Sequence, residues 1–264
     1  TVAEIEELVR PILALKVKMG LFEHPYVDES LLEKVVARPD HRQISRWAAQ
    51  RSMVLLKNEG GVLPLKKDLK KVAVIGPLAD SMEATEGSWM VFGHTPAAVT
   101  VLQGVRAKLP DAEVTYAPGP EIRRDIPSWF ESSMAGMESK PKQSPEDSEA
   151  AFQAAVNTAR AADLTVMVLG ETAEMAGEAA SRASLDLPGR QEELLQAVAA
   201  LGKPVVLVLL NGRPLSINWA AEHIPAILEA WEPGTEGGHA VAGILFGDAV
   251  PGGKLPVTFP RKGS

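Results

Sequence analysis

Three glutamates stand close together in the segment that follows an apolar run. The run LTVMVLG covers residues 164–170, and the segment after it carries Glu171, Glu174 and Glu178. Carboxyl groups act as proton donors, bases or nucleophiles, and cleavage of a glycosidic bond needs two of them flanking that bond. Glutamates are also common in solvated acidic loops, because they are rarely buried unpaired. The residues alone leave both interpretations open.

A tryptophan in the short stretch Gly87-Ser88-Trp89 is a second chemical candidate. The aromatic face of Trp89 suits the apolar C–H face of a sugar ring, because tryptophan combines a large apolar surface with a polar N–H group. The alternative is a tryptophan packed into the core after a turn. The other tryptophans are expected in the core or are unassigned; they are Trp47, Trp219 and Trp231 in or beside regular elements, and Trp129 in a variable stretch.

Several other chemistries lack their sequence patterns. The chain has no cysteine, so thiolate catalysis and cysteine-ligated metals are excluded. It has no phosphate-binding G-x-x-x-x-G-K-[ST] motif, no G-x-S-x-G elbow and no metal-ligand spacing among its five histidines. The net charge of −7 argues against nucleic-acid partners. The longest apolar run, residues 204–210, is too short for a bilayer. We therefore expect neither a cofactor, a metal, a nucleic acid nor a membrane.

The elements that would position these residues follow an alternating strand–helix pattern. Continuous apolar runs are typical of strands covered on both faces, and their alternation with helices predicts a doubly wound, mostly parallel α/β sheet. Ligands of such sheets bind beyond the carboxyl ends of the strands. Four loops follow strands, and we expect them to converge at one edge: GPLADSMEATEGSWM, the glutamate loop, NGRPLS and EPGTEGG.

The N-terminal part has a different pattern. Apolar residues at helical spacing predict an amphipathic helix over residues 1–22, begun by a capping box of Thr1 and Glu4. A polar linker follows, and a second helix is predicted from Gln43 to Lys57. Residues 119–146 are interpreted as a long irregular loop. The predicted division is 1–40 and 41–264.

Five stretches of the chain, taken in order, form a recognisable pattern: SMVLLKNEGGVLPLKKDLKKVAVIGPLAD, GSW, GETAEMAGEAASRASLDLPGRQEELLQAV, KPVVLVLLNGRPLSI and EAWEPGTEGGHAVAGILFGDAVPGGKLPVTFP. In these stretches the chain resembles family 3 glycoside hydrolases of the bacterial β-glucosidase branch. The resemblance implies that residues 41–264 form the family's α/β sandwich domain and that residues 1–40 are the last helix and linker of a (β/α)₈ barrel. It also implies that the nucleophilic aspartate lies in the barrel, outside this chain.

The resemblance implies a role for each candidate residue. The acid/base glutamate of the family lies on the loop after the third apolar strand; Glu178 matches it best by its position before the LDLP return, and Glu174 and Glu171 are the alternatives. Ser88 and Trp89 match an aglycone-site wall, and Arg182 is either a partner for a carboxylate or a surface charge.

The function expected from the resemblance is that of a retaining exo-acting β-glucosidase acting on small oligosaccharides. The chain would be inactive without the barrel, which belongs to the same protein or to a companion chain. The alternative is a non-catalytic ligand-binding or interaction module of the same fold. A periplasmic or secreted location follows from the family alone, and the exact sugar and linkage stay open.

Overall fold

The computed structural model describes residues 1–36, 38–90, 97–124 and 142–261. Trp129 and the centre of the predicted irregular loop lie outside the described residues. The chain divides into two compact units, Thr1–His41 and Arg42–Ser264.

The first unit begins with helix α1, Val2–Lys18. The predicted capping box is confirmed, since Thr1 and Glu4 bond each other's backbone reciprocally. Pro11 lies inside the helix, and a short helix α2 covers Leu32–Val35. Helix α3, Pro39–Ser52, crosses from this unit into the second.

Six strands of the described residues form one sheet in the second unit. They are β1 Val54–Asn58, β2 Lys71–Ile75, β3 Glu113–Ala117, β4 Leu164–Gly170, β5 Val205–Leu210 and β6 Ala226–Glu229. The order across the sheet is β1-β6-β5-β4-β2-β3, and β1 alone runs antiparallel to its neighbour. The central strands are buried along their whole length, as continuous apolar runs require.

Helices cover both faces of the sheet. Within the described residues that follow β1, the α-helices of this unit are α4 Met82–Glu86, α5 Val101–Lys108, α6 Pro145–Ala161, α7 Gln191–Ala199, α8 Asn218–His223 and α9 Gly237–Leu245. Side chains such as Val74, Val166 and Val208 share one apolar core with α5 and α9, whereas Ile75 and Met167 share the other with α6 and α7. The predicted doubly wound α/β fold is therefore confirmed.

The predicted helix from Gln43 to Lys57 is wrong in its last five residues. The helix ends at Ser52, and Val54–Asn58 forms the edge strand β1 beside β6. A short run of apolar residues fits a helix face and a strand equally well, and pairing with β6 decides the matter. Sequence reasoning also missed α5, although Thr100 and Gln103 form a capping box at its start.

Candidate active-site loop

The side-chain amide of Gln191 joins the two ends of the loop between β4 and α7. This side chain is buried and donates to the carbonyls of Gly170 and Pro188 at 2.8 and 2.9 Å. Its oxygen accepts from the amide of Gly170 at 2.9 Å. The two ends of the loop, residues 170 and 188, are therefore held by one side chain.

Glu171 is the centre of a buried ion-pair cluster at the start of this loop. Its side chain is 0% exposed and pairs with Arg182 Nη1 at 2.5 Å and with Arg213 Nε at 3.2 Å. A buried carboxylate needs such partners, because an unpaired charge is costly to remove from water. Of the two interpretations of Arg182, the pairing with a carboxylate is the one observed. That carboxylate belongs to Glu171 and not to Glu178.

Two arginines brace the middle of the loop through its backbone. Arg213 Nη2 donates to the carbonyl of Met175 and, at 2.7 Å, to that of Ala180. Arg124 donates to the carbonyl of Ala179 at 2.9 Å and, more weakly, to that of Glu174 at 3.4 Å. Each arginine therefore joins two residues that are five positions apart, and the chain between them forms a closed bend.

Glu178 lies at the tip of this bend. Residues 177–179 are exposed, and the carboxylate of Glu178 makes no hydrogen bond or ion pair with another residue in the described part of the chain. Gly177 has φ +88°, and a Cβ added there would lie 3.2 Å from Ser88 Cβ and 3.9 Å from Trp89 Cε2. The tip of the loop and the stretch containing Trp89 are consequently adjacent.

Glu232 fixes the turn that presents Trp89. Its Oε1 accepts from the amide of Ser88 at 3.1 Å and from the hydroxyl of Ser88 at 3.0 Å. A Cβ added to Gly212 would lie 2.6 Å from Ala176 Cβ and 3.0 Å from Glu232 Oε1. Residues from all four predicted loops therefore meet at this edge of the sheet, while the Trp89 side chain remains 66% exposed.

Glu229 is a buried carboxyl group at the end of β6. Within the described residues it accepts from the amide of Trp231 at 2.8 Å and from Asn211 Nδ2 at 3.2 Å. Burial raises the pKa of Glu229 to about 8; the bonds from Trp231 and Asn211 oppose this shift, and the charge of Glu171 adds to it. The carboxyl group of Glu229 is therefore favoured in its neutral, protonated form.

Sequence reasoning did not identify Arg213, Gln191, Glu229 or Glu232 as parts of this arrangement. Arg213 and Glu232 each follow a strand directly or nearly so, which is the signal that was available for them. The bonds that give them their roles join residues distant in the chain, and a single sequence does not reveal those pairs.

Two other kinds of site are absent from the described residues. These residues contain no group of three or more histidine, aspartate or glutamate side chains arranged to hold a metal ion. Within the same ranges, no helix has both the length and the apolar character needed to cross a bilayer.

Residues 53–264 match the family model described as the glycosyl hydrolase family 3 C-terminal domain. The chain belongs to glycosyl hydrolase family 3. The family resemblance found in the sequence is thereby confirmed. A periplasmic beta-glucosidase of Salmonella typhimurium is 42% identical over 99% of this chain, and a beta-xylosidase of Formosa agariphila is 37% identical over 97% of it.

Solved structures of this family share the fold. The beta-glucosidase of Listeria innocua, solved in complex with isofagomine, has a TM-score of 0.75 and is 36% identical over 94% of this chain. A beta-glucosidase involved in saponin metabolism from intestinal bacteria has a TM-score of 0.79 and 33% identity over 97% of the chain. The chain spans about a third of its curated relatives, 34% of the Salmonella protein and 33% of the Formosa protein.

Proposed function

We propose that this chain supplies the acid/base part of a retaining, exo-acting β-glucosidase. The observation that carries the proposal is the exposed carboxylate of Glu178, held out on a braced loop beside Trp89. Two relatives named as beta-glucosidases support a glucoside as the substrate, and one named as a beta-xylosidase marks the related sugar to compare.

Glu178 would act twice in this reaction. It first donates its proton to the glycosidic oxygen as the bond to the anomeric carbon breaks, while a nucleophilic aspartate in an N-terminal (β/α)₈ barrel bonds that carbon. It then takes a proton from water, which attacks the same carbon and releases the aspartate. The barrel is the partner that this proposal requires, in the same protein or in a companion chain.

Glu178 suits this role better than the other two glutamates of the loop. Glu171 is buried between Arg182 and Arg213, so it has no access to a substrate oxygen. The backbone at Glu174 is bound by Arg124 before the bend begins. A proton donor at neutral pH needs desolvation or a nearby negative charge to keep its proton, and a barrel closing over the exposed tip would supply both.

Trp89 would form a wall of the aglycone site. Its ring is exposed, it lies beside the bend that carries Glu178, and the bonds from Ser88 to Glu232 fix the turn that presents it. An aromatic face in that place suits the second sugar of a disaccharide.

We also propose a periplasmic location, on the likeness to the Salmonella protein. Recovery of the protein only in the cytosolic fraction of its source cells would contradict it.

The test of the proposed function is hydrolysis of 4-nitrophenyl β-glucoside by this chain alone and together with the barrel. We expect turnover only when both are present, because the two carboxyl groups lie on different domains. Turnover by the chain alone would contradict the divided site, since the chain would then hold its own nucleophile. Binding of oligosaccharide without turnover in the combined protein would favour the alternative, a non-catalytic module.

A further inference from the structure

We propose that Arg213 is a positioning residue that sets the place of Glu178 through the loop backbone. The inference rests on the proposed function of the loop. It adds the residue that connects the sheet edge to the backbone on either side of Glu178. Arg213 stands three residues after the end of β5, between the rigid sheet edge and the bend.

The contacts of Arg213 reach both sides of Glu178. Its Nη2 atom donates to the carbonyl of Met175, three residues before Glu178, and to that of Ala180, two residues after it. Its Nε atom donates to the buried carboxylate of Glu171 at 3.2 Å. One guanidinium thus ties the start of the loop, and both arms of its bend, to the end of a strand.

The side chains at the tip of the bend are exposed, in contrast to the residues on either side of it. Residues 177–179 are small or polar and exposed, whereas the two carbonyls bonded by Arg213 belong to the buried residues Met175 and Ala180. A buried carbonyl that loses its donor is penalised by its desolvation. The bonds from Arg213 therefore favour one arrangement of the bend over alternatives that would move Glu178.

Arg213 is itself held by its surroundings. Glu171 is fully buried, and it is also bound by Arg182, whose Nη2 donates to the carbonyl of Asp186 at 2.9 Å on the returning arm of the loop. The planar guanidinium presents its donors in fixed directions, and a lysine in the same place offers a single compact ammonium group. Lysine keeps the charge beside Glu171 and cannot reproduce all three contacts.

The kinetic effect should appear only where proton donation matters. Displacement of a catalytic group by about 1 Å can lower the rate by about 100-fold. For Arg213→Lys in the protein combined with the barrel, we expect kcat/KM to fall by about 10- to 100-fold for phenyl β-glucoside. For 2,4-dinitrophenyl β-glucoside, whose leaving group needs no proton, the fall should stay within about threefold.

The experiment compares Arg213→Lys with Arg46→Lys as a matched control. Arg46 also pairs with a buried glutamate, since its Nη2 lies 2.7 Å from Glu236, whose side chain is 1% exposed. Arg46 lies on α3, and its bonds within the described residues go to Glu236 and His239, not to the loop. Both variants should be measured with the two glucosides and by amide hydrogen exchange of residues 174–180. We expect Arg213→Lys to show the selective loss and faster exchange, and Arg46→Lys to show neither.

Two outcomes would overturn the positioning role alone. One is an equal loss of kcat/KM for both glucosides in Arg213→Lys, which would mark a general loss of structure. The other is a dependence on the leaving group in Glu178→Gln but not in Arg213→Lys, which would leave the acid assignment intact. If Glu178→Gln shows no such dependence, the proposed acid fails, and the positioning role fails with it.

Discussion

One glutamate directly follows β4 and another is the last residue of β6, and the two have opposite surroundings. Glu171 and Glu229 are both buried. Glu171 contacts two guanidinium groups, whereas the polar contacts of Glu229 within the described residues are the amide of Trp231 and the side chain of Asn211. Burial without a paired cation raises the pKa of Glu229 to about 8.

This difference shows that a perturbed pKa does not by itself identify a catalytic acid. A strongly shifted titratable group is a common sign of a functional site, and Glu229 satisfies that criterion. It is nevertheless enclosed at the sheet edge, whereas Glu178 is exposed at the end of a braced bend. Access and placement favour Glu178 as the group that meets a substrate.

The largest change in stability should come from Glu171→Ala. The variant leaves two guanidiniums facing each other without their carboxylate, and removal of one partner from a buried ion pair costs about 3 to 5 kcal/mol. We expect the lower end of this range, because Arg182 and Arg213 are 15% and 21% exposed and retain some hydration. Urea unfolding of this chain measures the effect.

Glu149→Ala is the control for that experiment. Glu149 pairs with Arg190 at 2.9 Å, but its side chain is 53% exposed. Exposed ion pairs contribute little, so the unfolding midpoint should not move measurably. An equal loss of unfolding free energy in the two variants would contradict the expected difference between the buried ion pairs of Glu171 and the exposed pair of Glu149.

A change in the pH dependence of stability is expected from Glu229→Gln. The folded state holds the proton of Glu229 up to about pH 8, whereas the unfolded chain releases it near the ordinary value of 4.5. The folded state therefore binds more protons in this interval, and its stability falls as the pH rises, by at most about 1.4 kcal/mol per pH unit. Glutamine removes this dependence, so the variant should gain stability relative to the parent chain from pH 4.5 to 8.

Glu236→Gln should give the opposite sign. Although burial acts to raise the pKa of Glu236, the hydrogen bonds from His239 and Arg46 and the charges of Arg42 and Arg46 together hold it below its ordinary value. Its contribution is present above pH 4.5 and is lost as the pH falls through the lowered pKa. Urea unfolding at pH 3, 5 and 8 separates the two variants, because Glu229→Gln should gain stability relative to the parent chain between pH 5 and 8, and Glu236→Gln should gain it as the pH falls from 5 to 3. Identical pH profiles would contradict the assignment of their charge states.

The sequence alone predicts most strands of the sheet, but it predicts few of the contacts that hold the loop. Runs such as LTVMVLG predict buried strands, because both faces of the sheet must be apolar, and β4 has the bounds of that run. The prediction of a helix through Lys57 is wrong, because the strand character of Val54–Asn58 depends on pairing with Ala226–Glu229, far along the chain. Local pattern does not contain that information.

The candidate site shows the same division. The position of Glu178 on a loop after a strand follows from the sequence, and so does the expectation that neighbouring loops meet there. The partner of Arg182 does not follow, since the helical spacing to Glu178 gives no indication that the guanidinium binds Glu171. The role of Arg213 depends on carbonyl groups, which every residue has and no motif marks.

The measurement that tests the central claim most directly is the dependence of kcat/KM on the leaving group for Glu178→Gln in the protein combined with its barrel. The comparison variants are Glu174→Gln, which changes the other exposed glutamate, and Trp89→Ala, which should raise KM for cellobiose more than for phenyl β-glucoside. We predict that Glu178→Gln loses about 100-fold or more with phenyl β-glucoside and much less with 2,4-dinitrophenyl β-glucoside, because general acid catalysis contributes about 10²- to 10⁴-fold. An equal loss on both substrates, or the selective loss in Glu174→Gln instead, would contradict the assignment of Glu178 as the acid.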